Sequence, residues 1–302
     1  MAEPYALEPE PAAPKLPGGD VVLRPTLEDL LDPAAADLFV HAQACVRAFG
    51  DFHLAMSIGE PQLTFALRLM VDPKFRWLPW KRTHLWLLTD TIGGTERGYD
   101  ALAEIIGDHA GIPDSQLHMI GDNLPVESAA ANAADAYERR LIEHLAWRER
   151  GQDRLDYALL AVDDAGDPDG YAPEQSEDQL VLPAMLRGAP AVTLTTRLLN
   201  ATRLISVLAT GPDRRGAVHK IASGEPGGFA GVKPIGGTLR WYVDAAANPL
   251  DQSDAGELAA MPDHVSTAQA SLPNEKPNEQ PNDQPSQRPD PPTQRRASTR
   301  PS

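Results

Sequence analysis

A chain of 302 residues with a hydrophobic fraction of 42% is long enough to bury one large α/β core. Its 43 acidic residues outnumber 27 lysines and arginines, and the net charge of -16 repels polyanions, so nucleic acid is not an expected partner. Cys45 is the single cysteine, which excludes an intramolecular disulfide framework and a cysteine-based zinc site and makes the cytoplasm the expected compartment; no stretch approaches the roughly 20 apolar residues of a membrane span.

Residues 1–19 combine prolines and acids with little apolar surface, which predicts a disordered acidic segment and not a secretory leader. The folded region is expected over residues 20–250. Residues 21–24 read as a strand, Thr26 as the N-cap of a helix running to Gly50, and residues 52–57 as a buried strand. Residues 62–69 predict a helix, 83–89 a strand rich in large apolar side chains, and 99–106 and 126–149 two further helices. Strands are expected at 156–162, 180–182, 191–195 and 239–243, with a helix over 198–208.

This alternation predicts an α/β fold, a three-layer α/β/α sandwich around a mainly parallel, Rossmann-like sheet. Ligands in such sheets bind beyond the carboxyl ends of the strands, which points to the turns after Ser57, Asp90 and Val162. Residues 251–302 form a Pro, Asn and Gln-rich tail in which Pro273, Pro277, Pro281, Pro285 and Pro289 recur every four residues. That composition predicts a disordered, extended coil, and the partner it offers is a protein bound through this tail.

The run from Asp156 to Pro173, DYALLAVDDAGDPDGYAP, resembles without a gap the signature of the 6-phosphogluconolactonase family, within the glucosamine-6-phosphate isomerase superfamily. Asp156, Leu159, Leu160, Gly166 and Pro173 match, while Ala165 stands where that signature has Asp and Asp167 where it has the catalytic His. The resemblance extends from about residue 21 to 247. Ala55-Met56-Ser57-Ile58-Gly59-Glu60-Pro61 resembles the glycine-rich turn that cradles the sugar phosphate, one residue short. Asp90 matches one polar position of the second motif, whose Glu and Arg are absent, and Glu96 and Arg97 are candidates for returning charge to the rim. Residues 134–141, ADAYERRL, match a packing helix; Ala191 replaces a ligand-side arginine; Leu199-Asn200-Ala201 matches; and Arg214 stands in place of a lysine. Residues 234–247, PIGGTLRWYVDAAA, favour the lactonase branch.

By this resemblance the candidate site is Asp167 at the catalytic position, with Ser57, Gly59, Asp90, Gly166 and Arg214 around a small-molecule sugar phosphate, and no cofactor. Lactone opening needs a base and oxyanion donors. Aspartate, near pKa 3.9, is a weaker base than imidazole, near 6.5. Asp163, Asp164, Asp167 and Asp169 crowd one loop, Glu60 adds a charge to the turn, and Ala191 removes a phosphate clamp. The expectation is a member of the fold in which hydrolysis is lost or weak, a binding or regulatory pseudoenzyme. The alternatives are a divergent working lactonase and a scaffold acting through its tail. Asp167-Pro168-Asp169-Gly170 resembles part of a calcium loop but lacks ligands at Ala165 and Ser176, and the histidines show no helical metal spacing, so no metal is expected. His84, on an apolar strand, is expected to be a satisfied core residue.

Overall fold

The structure, a computed structural model, describes residues 12–93, 98–120, 126–146, 148 and 153–250. The expectations for residues 1–11, for the Glu96–Arg97 pair and for the 251–302 tail lie outside the described residues.

Seven strands form one sheet in which every pairing is parallel, in the order β1 (Asp20–Arg24), β10 (Thr238–Asp244), β9 (Leu204–Ala209), β6 (Tyr157–Ala161), β2 (Phe52–Met56), β3 (Thr83–Leu87) and β5 (Leu117–His118). Helices cover both of its faces. All residues of β2, β3, β6 and β9 are buried, as expected of strands covered on two sides. Trp86, Trp241, Tyr157 and Phe52 are among the largest side chains that are fully enclosed.

Local chemistry sets the element ends. Helix α1 (Leu27–Phe49) starts where the Thr26 hydroxyl accepts from the Asp29 N–H at 3.1 Å, and stops at Gly50, whose φ of 89° lets its N–H turn back to the Val46 carbonyl. Helix α2 (Glu60–Val71) carries Pro61 in its first turn. A short α3 (Gly98–Leu102) runs through a π-helical turn into α4 (Asp108–Ala110). Helix α5 (Val126–Leu145) is pinned to β3 by Tyr137, whose hydroxyl accepts from Leu87 N at 2.9 Å and donates to Leu87 O at 3.2 Å.

Three expectations need correction. The helix predicted over 198–208 is two elements: α6 (Thr196–Ala201), then the central strand β9. Leu204–Ala209 is an apolar run with Ile205 and Val207, and burial on both faces decides for strand where periodicity alone is ambiguous. The strand predicted over 83–89 divides at Leu88: β4 (Thr89–Thr91) leaves the main sheet and pairs antiparallel with β8 (Ala189–Leu194), which pairs in turn with β7 (Val181–Leu186). Finally, residues 12–19 are not free of the core. Leu16 is buried, and Trp241 Nε1 donates to the Pro17 carbonyl at 2.8 Å. Pro14 is buried as well, and Asn248 Nδ2 donates to the Ala12 carbonyl at 3.0 Å, so buried side chains and two side-chain donors hold this proline-rich stretch against the end of the sheet.

Candidate functional site

The sheet order reverses between β2 and β6. The chain runs outward from β2 to β3 and β5, and in the other direction from β6 to β9 and β10, so a crevice opens beyond the carboxyl ends of the two neighbours. A cavity of about 1020 Å³ lies there. Its walls are the turn after β2, the loop after β6, the tip of the β7–β8 hairpin, and Arg214.

The expected site residues divide between wall and scaffold. Gly59, Asp167 and Arg214 line the cavity. Ser57 is fully buried behind it; its Oγ accepts from Gln62 Nε2 at 2.7 Å, which commits the hydroxyl to holding α2 against β2. Asp90 is also buried, and its carboxylate accepts from the N–H groups of Thr91, Gly98 and Tyr99 at 2.9, 2.9 and 3.3 Å, capping α3. Gly166 turns the loop at φ 93° against Ala217. Ala191 is buried within β8.

The acidic loop is organised by its own first carboxylate. Asp163 Oδ1 accepts from the N–H groups of Ala165, Gly166 and Asp167 at 2.9, 2.9 and 2.8 Å. Asp167 is exposed, with Oδ1 held by the Gly228 N–H at 2.7 Å. Arg214 Nη1 pairs with Asp164 at 2.7 Å.

Sequence reasoning missed Arg187. It sits at the hairpin tip beside Gly188, both with positive φ, and its Nη2 reaches Asp169 Oδ1 at 2.7 Å. The other oxygen of Asp169 occupies the space where a side chain on Gly59 would begin, beside the first turn of α2. Asp169 therefore places a carboxylate where a helix N-terminus and an adjoining guanidinium would otherwise receive an anion. Among the described residues the cavity walls carry five carboxylates, Glu60, Asp163, Asp164, Asp167 and Asp169, against the guanidiniums of Arg187 and Arg214, and no histidine.

Imidazoles gather elsewhere. His53 and His84 face each other in register near the amino-terminal ends of β2 and β3, and His118 of β5 and His144 of α5 join them around Trp86. Burial, with mutual repulsion second, pushes His84 down to about 3 and His118 down to about 2; burial also lowers His144. The His84, His118 and His144 rings are therefore neutral at physiological pH, each keeping one nitrogen lone pair. The spread of the four residues over distant elements hides the cluster from any reading of local spacing.

A doubly covered parallel sheet with a polar cleft at its switch point defines an α/β protein of the doubly wound class. The chain belongs to the glucosamine-6-phosphate isomerases/6-phosphogluconolactonase family, whose model matches residues 25–241. It is 26% identical over 267 residues to the human GDH/6PGL endoplasmic bifunctional protein, covering 80% of this chain and 33% of that one. It is 31% identical over 149 residues to human 6-phosphogluconolactonase, covering 46% and 55%. The chain thus spans between a third and just over half the length of these relatives. Among solved structures it resembles 6-phosphogluconolactonase from Thermotoga maritima with a TM-score of 0.62 and 20% identity, covering 74% of this chain and 99% of that one. The crystal structure of devB protein gives a TM-score of 0.64 at 21% identity, covering 76% and 97%.

Proposed function

We propose that the cleft is a sugar-phosphate site whose family reaction, hydrolysis of 6-phosphogluconolactone, is lost or weak, leaving a binding or regulatory protein of sugar-phosphate metabolism. The observation that carries this reading is the placement of Asp169, which fills the space over Gly59 and neutralises Arg187. Arg214 is likewise paired, with Asp164. An incoming phosphate must displace a carboxylate already tethered to the protein and enter a wall with an excess of negative charge. Among the described residues no imidazole lines the cleft to draw a proton from water.

A second reading, a divergent working lactonase, is favoured by one feature. Asp167 stands exposed on the cavity wall with one oxygen fixed by Gly228 N–H, which leaves the carboxylate held in place to orient a water molecule. The purified full chain, assayed with freshly generated 6-phosphogluconolactone, separates the two. The first reading expects turnover indistinguishable from spontaneous hydrolysis. Turnover well above that rate, abolished by Asp167→Asn, rejects it and establishes the second. The proposed compartment is the cytoplasm: Cys45 is buried and its thiol pushed up to about 12 by burial, an unreactive group that needs no oxidising environment.

A further inference from the structure

We propose that His84, His118 and His144 form a binding site for a divalent transition metal, zinc being the reference ion, at the opposite end of the strands from the cleft. One ring nitrogen from each residue lies within 4.8 Å of the other two. A tetrahedral zinc centre with bonds of about 2.0–2.1 Å separates its ligand nitrogens by roughly 3.4 Å. His84 Nδ1 and His118 Nε2 are already 3.0 Å apart, sharing one proton. Binding needs that proton to move to the other nitrogen of its ring and His144 to swing inward.

The scaffold is built to hold these rings in place. His84 and His118 project from hydrogen-bonded neighbouring strands, in which Trp86 pairs with His118. His144 sits in the last turn of α5, the helix that Tyr137 fastens to Leu87. The ring centroids of His144 are 4.8 Å from those of His84 and 4.6 Å from those of His118. Among the described residues no hydrogen bond engages the His144 ring, and that residue is half-buried, so it is both the uncommitted ligand and the route for solvent and metal.

His53 has a different part. The Trp86 indole only donates, so its bond to His53 Nδ1 at 3.0 Å fixes the ring proton on Nε2, which points at Asp51 Oδ2 3.3 Å away. His53 is thereby committed, stacked on His84 with centroids 4.6 Å apart. An Asp51 oxygen also falls within 4.8 Å of a His84 nitrogen and supplies countercharge to a dication, as does Glu143 beside His144. Nearby Arg148 is tied to Asp51 and Asp156, which offsets its repulsion. Three neutral nitrogen donors select zinc, copper, nickel or cobalt over magnesium or calcium, which require oxygen.

The test is titration of the metal-stripped full chain with zinc, and with cobalt(II) to read coordination by its visible absorption. The expected result is one metal per chain and the band pattern of a four-coordinate site with three nitrogen ligands and a water in the fourth position. His144→Gln, at a half-buried helix end, should fold with an unchanged thermal midpoint in chelator yet bind zinc at least about tenfold more weakly, and His118→Gln should behave likewise towards metal. Absence of stoichiometric binding at micromolar zinc overturns the proposal, as does binding that keeps its affinity in both variants.

Discussion

Arg187 Nη2 and Asp169 Oδ1 lie 2.7 Å apart across the mouth of the cleft, joining the tip of the β7–β8 hairpin to the loop after β6. The arginine is well exposed, so the pair itself adds little stability, at most about 1 kcal/mol. Its importance is for anions: the same carboxylate covers Gly59.

Asp169→Asn should therefore open the site. Removing one unit charge about 4 Å from a bound anion is worth about 1 kcal/mol in a solvent-like dielectric, or roughly a fivefold gain in affinity for inorganic phosphate. Isothermal titration of wild type and variant with phosphate measures it. Equal affinities would show that Asp169 does not occupy the anion position.

Gly170→Ala should separate two causes of strain. Gly170 has φ 66°, and a Cβ there would overlap the backbone of Ile58, so the turn after β2 and the loop after β6 fit together only without a side chain. Gly188 has φ 81° with open space around it. Gly188→Ala should cost only the left-handed backbone strain, about 1–3 kcal/mol, and Gly170→Ala distinctly more. Urea unfolding of the two variants checks the order; equal losses would mean that Ile58 yields freely.

What could be read from the sequence follows the range of the interactions involved. The limits of α1 were legible because Thr26 and Gly50 act on their own neighbours. The site loops were legible through Gly59 and the run of acids at 163–169, and the sheet's alternation gave the cleft its place. The roles of Asp90 and Ser57 were not, since capping α3 and holding Gln62 depend on which way a buried side chain turns. Arg187 was invisible because its partner is 18 residues away, across a hairpin whose antiparallel pairing no local pattern announces. The identity of β9 was misread for a related reason: burial on two faces belongs to the assembled sheet, not to the segment.

Asp156→Asn should be among the most destabilising single changes. Its buried carboxylate accepts from His53 N at 2.8 Å, from Arg148 Nη1 and Nη2 at 3.0 and 2.9 Å, and from Arg203 Nε at 3.0 Å. Burial disfavours the Arg148 charge, but Asp156 and Asp51 outweigh it and hold the guanidinium above its ordinary pKa. An amide leaves that enclosed cation without half of its countercharge, a loss of about 3–5 kcal/mol. Chemical denaturation measures it, and a loss below about 1 kcal/mol would show that Asp51 alone satisfies Arg148.

Acid sensitivity should appear in two windows. His41 Nε2 lies 2.9 Å from the Asp156 carbonyl, which only accepts, so that nitrogen carries the proton. Burial lowers the His41 pKa below 6.5 despite that bond and the Asp156 charge, with Arg203 opposing protonation as well. The unfolded chain then binds more protons than the native one as pH falls from about 6.5. Stability is fully present above that pH and declines below it, a direction shared by His84 and His118. Asp32, held below 3.8 by its hydrogen bonds to Arg68 and Lys74, contributes in full above that value and loses its contribution progressively as pH falls through its lowered pKa. With chelator present, unfolding free energies of wild type should fall between pH 7 and 5, and His41→Gln, which keeps an N–H for the carbonyl but cannot titrate, should flatten that slope without removing it. A slope unchanged by the substitution would place the His41 pKa near its solution value and the sensitivity in the imidazoles around Trp86 alone.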